Sequence, residues 1–291
     1  MQNEGYDSQV DDLVSRWQEE IYDGVLASDV LPAITIYAYA SLQGMTDEYD
    51  VAATFPMLPT DAGLPDHYGN ALIARLRGSC TSIRTGLQAI QAHMDCHAAI
   101  AAARRAHESL WQMFWLANPE VDANSRIRRL LKLTRQEIGE ALRFFAYGIN
   151  TDVESTLRKY ESEIEGVVGK EVYRSKDGRG EYQGYFGPRF NEPLPHDLPP
   201  VPADVEAEEI AWSMMSNMTH PNVVFDWVFQ IQEDSQDQMD KFQLLPVLAA
   251  MNMVSNISTL VMDKAHIQRE QVLGVNTTFR QLVSPAQLLL G

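Results

Sequence analysis

The 291-residue sequence predicts an all-α protein, a multi-helix bundle interrupted by one irregular insertion. Three observations lead there. Apolar residues recur in steps of three and four over most of the chain, the spacing that gathers them on one face of a helix. With 45% hydrophobic residues the chain is long enough to bury a large core. Between residues 170 and 204 the composition then changes: KEVYRSKDGRGEYQGYFGPRFNEPLPHDLPPVPAD holds four glycines and six prolines, which a continuous helix does not tolerate. We read 1–291 as a single helical domain and 170–204 as an inserted loop or lid, in which EVYRSKDGRGEYQGYF suits a small β-hairpin over a glycine turn.

Taken in order, residues 7–27 place Val10, Leu13, Val14, Trp17, Ile21 and Val25 at helical spacing, with acids in the first turn where the helix dipole favours them. Residues 28–44, SDVLPAITIYAYASLQG, have a cap at Ser28 or Asp29 and Pro32 near the start. That is a second, nearly all-apolar helix, although the alternation also suits a strand. Residues 45–66 carry three prolines and no period and read as a loop. The central stretch, 67–119, follows with Leu72, Leu76, Cys80, Ile83, Leu87, Ile90 and Met94 in one stripe, and Gly78 or Gly86 as the points where it would bend. VDANSR caps a helix at 125–147 with the stripe Ile127, Leu131, Thr134, Ile138, Leu142 and Phe145, antiparallel to its predecessor. Residues 151–168 repeat the pattern with Val153, Leu157, Tyr160, Ile164 and Val167, and Gly169 is the stop. Beyond the insertion, Pro221 divides two short helices. A long helix at 236–273 carries Leu244, Leu248, Met251, Val254 and Val261, with Pro246 as a kink. The closing SPAQLLLG either docks on the body or pairs with a second subunit in a homodimer.

The net charge of −17 repels nucleic acid and anionic membranes. No uninterrupted run of about 18 apolar residues is present. The start, MQNEGYDSQVDD, is acidic where a signal peptide is basic and then apolar. The expectation is a cytoplasmic protein without a membrane partner. Cys80 and Cys96 would lie roughly 24 Å apart on an unbroken helix, at about 1.5 Å per residue, too far for a disulfide. Free thiols fit a reducing compartment.

Continued past Met94 in the same steps, the central stripe meets His97, Ala101, Arg104, Glu108, Trp111 and Trp115. Ionisable groups on a buried face need partners, because an unpaired buried charge is costly. Arg104 and Glu108 are four apart on one helix face, close enough for an ion pair; beside Trp111 and Trp115 such a pair suits an anionic or amide ligand, or equally a neighbouring helix. His93 and His97 make an H-x-x-x-H without the glutamate of the zinc proteases, and Asp263 and His266 a D-x-x-H. No complete ligand set follows, so no metal or cofactor is assigned. Arg126, Arg128, Arg129, Lys132 and Arg135 form a basic stripe, with Arg128, Lys132 and Arg135 on one face. Such a face either holds RNA phosphates or pairs with the abundant acids. His220, at a helix end before Pro221, is held in a fixed pose.

Together, ARRAHESLWQMFWLANP and the later AWSMMSNMTHPN resemble a bacterial family of uncharacterised helical proteins, in which an Arg…Glu helix ending in W-L-x-x-P precedes a histidine-proline motif. The matching positions are Arg104, Glu108, Trp115, Leu116 and Pro119, then Trp212, Met215, Ser216, His220 and Pro221, within residues 70–265. That family is in turn distantly similar to the HEPN superfamily, which includes RNases of toxin and phage-defence systems. The resemblance implies His220 as the catalytic residue. The signature arginine before that histidine is replaced here by Ser213, and no Arg or Lys lies between Arg189 and His220. Arg104 from the neighbouring helix would have to supply the cation that steadies the transition state. The leading expectation is therefore a binding or regulatory protein with a buried polar pocket of Arg104, Glu108, Ser216 and His220. Trp111, Trp115 and Trp212 would wall the pocket around a small ligand or a segment of a protein partner. A HEPN-like metal-independent RNase is the alternative. A metal-dependent enzyme using His93, His97, Asp263 and His266 comes third.

Overall fold

The computed structural model describes residues 4–43, 63–94, 96–119, 121–145, 151–168, 215 and 236–288. Among these every element is a helix, so the chain is all-α as its periodicity predicts. The insertion at 170–204 with its expected hairpin, and the two short helices expected around Pro221, lie outside the described residues.

The chain begins with one continuous helical path. Helix α1 (Glu4–Arg16) runs into a π-helical segment (Trp17–Val30) and then α2 (Leu31–Ser41). Arg16 and Val30 both keep right-handed helical angles, so no cap interrupts the path. The expected cap at Ser28 or Asp29 is absent because both residues already lie within the helical path, and the Ser28 hydroxyl donates to the Asp29 carboxylate instead. The alternation in 28–44 that suited a strand is absorbed by α2. In the π segment the hydrogen bonds span five residues, as in Leu31 N–H to Leu26 O, which puts more residues in each turn than an α-helix holds. Its buried side chains follow that wider turn: Trp17, Ile21, Leu26 and Val30 are separated by four, five and four. Leu26 therefore takes the core position that α-helical spacing assigns to Val25. Trp17 is fully buried, donates Nε1–H to the Cys80 carbonyl at 3.2 Å, and meets Phe279 edge-on at 6.3 Å.

At the centre stands an antiparallel pair, α3 (Leu64–Gln91) and α4 (Cys96–Leu116), so the central stretch is two helices rather than one. The break falls at neither expected glycine. It is made by a Schellman turn: Met94 N–H bonds to Ala89 O at 2.9 Å, His93 N–H to Ile90 O at 3.0 Å, and His93 sits at φ 49°. Gly78 meets nothing within 4 Å, whereas Gly86 is the notch into which the helix carrying Val247 settles. A Cβ there would stand 3.1 Å from Val247 Cγ2 and 3.4 Å from Ala99 O. The stripe Leu72, Leu76, Cys80, Ile83, Leu87 and Ile90 is buried as expected, but Met94, beyond the break, is 54% exposed.

Helix α5 (Ala123–Phe145) starts where Asp122 caps it, accepting from Ser125 N–H at 2.9 Å and from the Ser125 hydroxyl at 2.7 Å. Helix α6 (Thr151–Val168) packs along α5, burying Ile164 and leaving Val153 exposed. The last long helix is also two, α7 (Gln236–Lys264) and α8 (Arg269–Leu288), split by a second Schellman turn. There Ile267 N–H bonds to Met262 O, His266 N–H to Asp263 O, and His266 lies at φ 55°. The sequence SPAQL belongs to α8. Helix α7 packs on α3 and α4 together, α2 on α3, and α8 on α7 and the π segment; the α5–α6 pair joins this body through α3 and α4.

By length and composition two helical stretches could cross a bilayer, Gly5–Ser41 and Gln243–Lys264. The count of uninterrupted apolar residues missed them because each is apolar on average and punctuated by polar side chains. In the second, 72% of the apolar window is buried within the protein, as in a core helix; in the first, 39% is.

Candidate functional site

The break after Gln91 resets the register of α4, and with it the expectation of buried charges. The buried residues of α4 are Ala99, Ile100, Ala103, Ala106, His107, Leu110, Trp111, Met113, Phe114 and Leu116. His97 and Ala101 are exposed. Arg104 and Glu108 stand beside the buried face rather than on it, with 20% and 29% of their side chains exposed and Arg104 Nε 3.0 Å from Glu108 Oε1. Trp111, expected to wall a pocket, is instead buried in the core, 7% exposed and edge-on to Phe114 at 5.8 Å.

Among the described residues of α4 the buried ionisable group is His107, which the continuous-helix reading passed over; the spacing Ala99, Ala103, His107, Leu110 reveals it once the helix starts at residue 96. His107 is 1% exposed, and its Nε2 lies 3.2 Å from the carbonyl oxygen of Pro246 on α7. A carbonyl only accepts, so Nε2 carries the proton. Burial pushes the imidazole down to about 4, against the opposing pull of that bond. His107 is therefore a neutral, oriented donor fixing α7 to α4 one residue from the Gly86 notch. Burial likewise pushes the Cys80 thiol up, leaving it an inert core side chain.

The W-L-x-x-P end of α4 has a structural explanation. The last carbonyls of a helix lack intrahelical donors. Here four in succession are met by side chains from three other helices. Trp115 O accepts from Arg129 Nη1 at 2.5 Å, Leu116 O from the Tyr68 hydroxyl at 2.6 Å, Ala117 O from the Tyr37 hydroxyl at 2.6 Å, and Asn118 O from Arg126 Nη2 at 3.0 Å. Arg126, 7% exposed, also donates to Ser41 O at 2.7 Å, so it ties the ends of α2 and α4 together. Two guanidinium groups at the negative end of α4 complement its dipole. Burial raises both phenols, Tyr68 most. The Arg129 guanidinium lies 4.9 Å from the Trp115 ring centroid, so Trp115 is a stacking partner within this cap.

The basic stripe of α5 is divided among several tasks. Arg126 and Arg129 serve the cap, Arg135 pairs with Glu165 of α6, Arg128 is exposed, and Lys132 is half-buried. A further pair that sequence spacing does not show, Arg75 with Glu137 at 2.5 Å, joins α3 to α5. The two histidines of H-x-x-x-H stand on either side of the break rather than on successive turns of one helix. His93 is in the turn, 3.6 Å from Asp7, and His97 is in the first turn of α4. Asp263 and His266 are both exposed, at the second turn. Among the described residues no three His, Cys, Asp or Glu side chains gather as a metal site. Of the predicted site, Trp212, Ser213, Ser216 and His220 lie outside the described residues; their neighbour Met215 is buried in the core.

No protein-family model, curated protein or solved structure matches this chain.

Proposed function

We propose that the chain is a helical binding protein whose recognition surface is the flank of α4 bearing Arg104 and Glu108. The observation that carries this reading is the placement of the Arg104–Glu108 pair. At 3.0 Å, with 20% and 29% of the side chains exposed, it sits where water is partly excluded and a ligand can still reach both groups. A guanidinium offers a planar fork of donors and the carboxylate an acceptor. That set matches a carboxylate or amide group carried on a small molecule or on a partner's side chain.

The test is a thermal-shift screen of purified protein against mono- and dicarboxylates, free amino acids and their amides. The expected result is a rise in melting temperature for at least one carboxylate or amide, lost in Arg104→Gln and in Glu108→Gln. A ligand whose effect survives both substitutions would place the surface elsewhere. A HEPN-like RNase is the competing reading, tested by incubating an RNA pool with wild type and His220→Ala in chelator. Cleavage by wild type alone would replace the binding proposal with nuclease chemistry.

A further inference from the structure

A π-helix is rare and is met mostly as a single turn inside an α-helix, frequently at a functional site. The segment Trp17–Val30 keeps that winding for 14 residues. Its buried side chains, Trp17, Ile21, Leu26 and Val30, complete three turns in steps of four, five and four. Three α-helical turns take only about 11 residues, so the same path wound as α overshoots by about two. Val30 would then stand more than half a turn from the face that Trp17 begins. The α-helical continuation of Trp17 and Ile21 runs instead through Gly24, Ser28, Leu31 and Thr35, a poorer core. Backbone preference therefore favours α, and packing favours π. The segment is held between two docked helices, α1 against α3 and α8, and α2 against α3 and α7.

Side chains mark the π register. Gln18 Nε2 donates to Asp23 Oδ2 at 2.8 Å, five residues on, while Gln18 Oε1 accepts from Arg84 Nη1 of α3 at 2.9 Å. Neighbours on an α-helix are three or four apart, so this chain of bonds belongs to the π winding alone. Gly24 fits the same winding: a Cβ there would lie 3.1 Å from Glu19 O, five residues back. Beyond the buried Val10 and Leu13, α1 is fastened by surface contacts, Asp11 to Gln91 Nε2 at 2.7 Å and Asp7 to His93 at 3.6 Å. Such contacts contribute little.

We infer that α1 and the π segment form a strap that opens from the body by rewinding to α. Opening breaks the Arg84–Gln18–Asp23 chain and turns Trp17 off the Cys80 carbonyl. It restores ordinary i→i−4 bonds to residues 17–30, so the backbone offsets part of what the core loses. Helix α2 stays docked through its buried face and through Tyr37, which donates to Ala117 O at 2.6 Å. The closed strap is the state described, and the open one a minor state in equilibrium with it, reached without unfolding the helices behind.

The experiment is amide hydrogen exchange of the whole chain, read by mass spectrometry at the level of peptides. A helix stripped of its packing is only marginally stable in water, so the strap exchanges while it is open. Residues 17–30 should exchange together and at least about tenfold faster than α3. Gly24→Ala tests the winding by its sign. In an α-helix that change slows exchange, because alanine is the better helix former; here it should speed exchange of 17–30 about fivefold, by crowding Glu19 O and favouring α. A thermal melt confirms that this variant folds. A chain lacking the exposed Asp23 and Ala27 sets the four buried residues four, four and three apart, which α winding satisfies. Its segment should exchange as slowly as α3. The inference is overturned by a wild-type segment as slow as α3, or by Gly24→Ala slowing exchange. A shortened chain that fails to fold, or that opens as readily as wild type, overturns it too.

Discussion

His107 gives the most quantitative prediction. Its imidazole is 1% exposed, bonded to Pro246 O, and held at about 4 against an ordinary 6.5. In the unfolded chain the same group takes a proton near 6.5, so between these values the unfolded state binds more protons and stability rises with pH. The folded state is therefore unpenalised above about pH 6.5 and loses stability as pH falls through the window to about 4. At about 1.36 kcal/mol per pH unit the full window is worth about 3 kcal/mol, of which about 2 kcal/mol is lost by pH 5. The perturbation is His107→Gln, whose amide still donates to the Pro246 carbonyl and does not titrate. Urea denaturation of both proteins at pH 7, 6, 5 and 4.5 isolates the term, because the carboxylates common to both cancel in the difference. Wild type should lose about 2 kcal/mol relative to the variant between pH 7 and 5. Parallel pH profiles would refute the placement of a neutral histidine in the α4–α7 contact.

Local geometry at three further places sets the remaining outcomes. Gly86→Ala should destabilise by about 1–2 kcal/mol in denaturant, since overpacking against Val247 and Ala99 outweighs the gain in helix propensity. Gly78→Ala, with open space around its Cβ, should stabilise by about 0.5–1 kcal/mol; equal signs for the two would contradict the notch. His266→Gly should raise the melting temperature by relieving about 1 kcal/mol of left-handed strain at φ 55°, and no rise would mean that the turn is not tight. Arg126→Leu should cost about 2–4 kcal/mol, leaving Ser41 O and Asn118 O without their charged donor, and Arg126→Lys should recover only part, because one ammonium does not reproduce the fork.

The helical class and most of the stripes were legible in the sequence because a 3.6-residue repeat of apolar side chains is a local property, read without knowing what covers it. Leu72 to Ile90 are buried as their spacing requires, and so are Ile127, Leu131, Ile138 and Leu142, with Thr134 half-buried between them. The boundaries were less legible. Both missed breaks, after Gln91 and after Lys264, use a histidine in the left-handed conformation where sequence reasoning looks for glycine or proline. The first error moved the site. Carrying the stripe of α3 through the turn put Arg104 and Glu108 in the core and left His107 unnoticed.

The sequence alone determined an acidic, all-helical chain, the amphipathic faces within each unbroken helix, and the i,i+4 pairing of Arg104 with Glu108, all set by neighbours a few residues apart. Only the tertiary structure decided that Leu26 rather than Val25 enters the core and that His107 meets the carbonyl of Pro246, 139 residues away. It also decided that Tyr37, Tyr68, Arg126 and Arg129 converge on four carbonyls at the end of α4. Those contacts depend on which helices pack together and at what register, and a donor's need for a distant acceptor leaves no periodic mark on the chain that carries it.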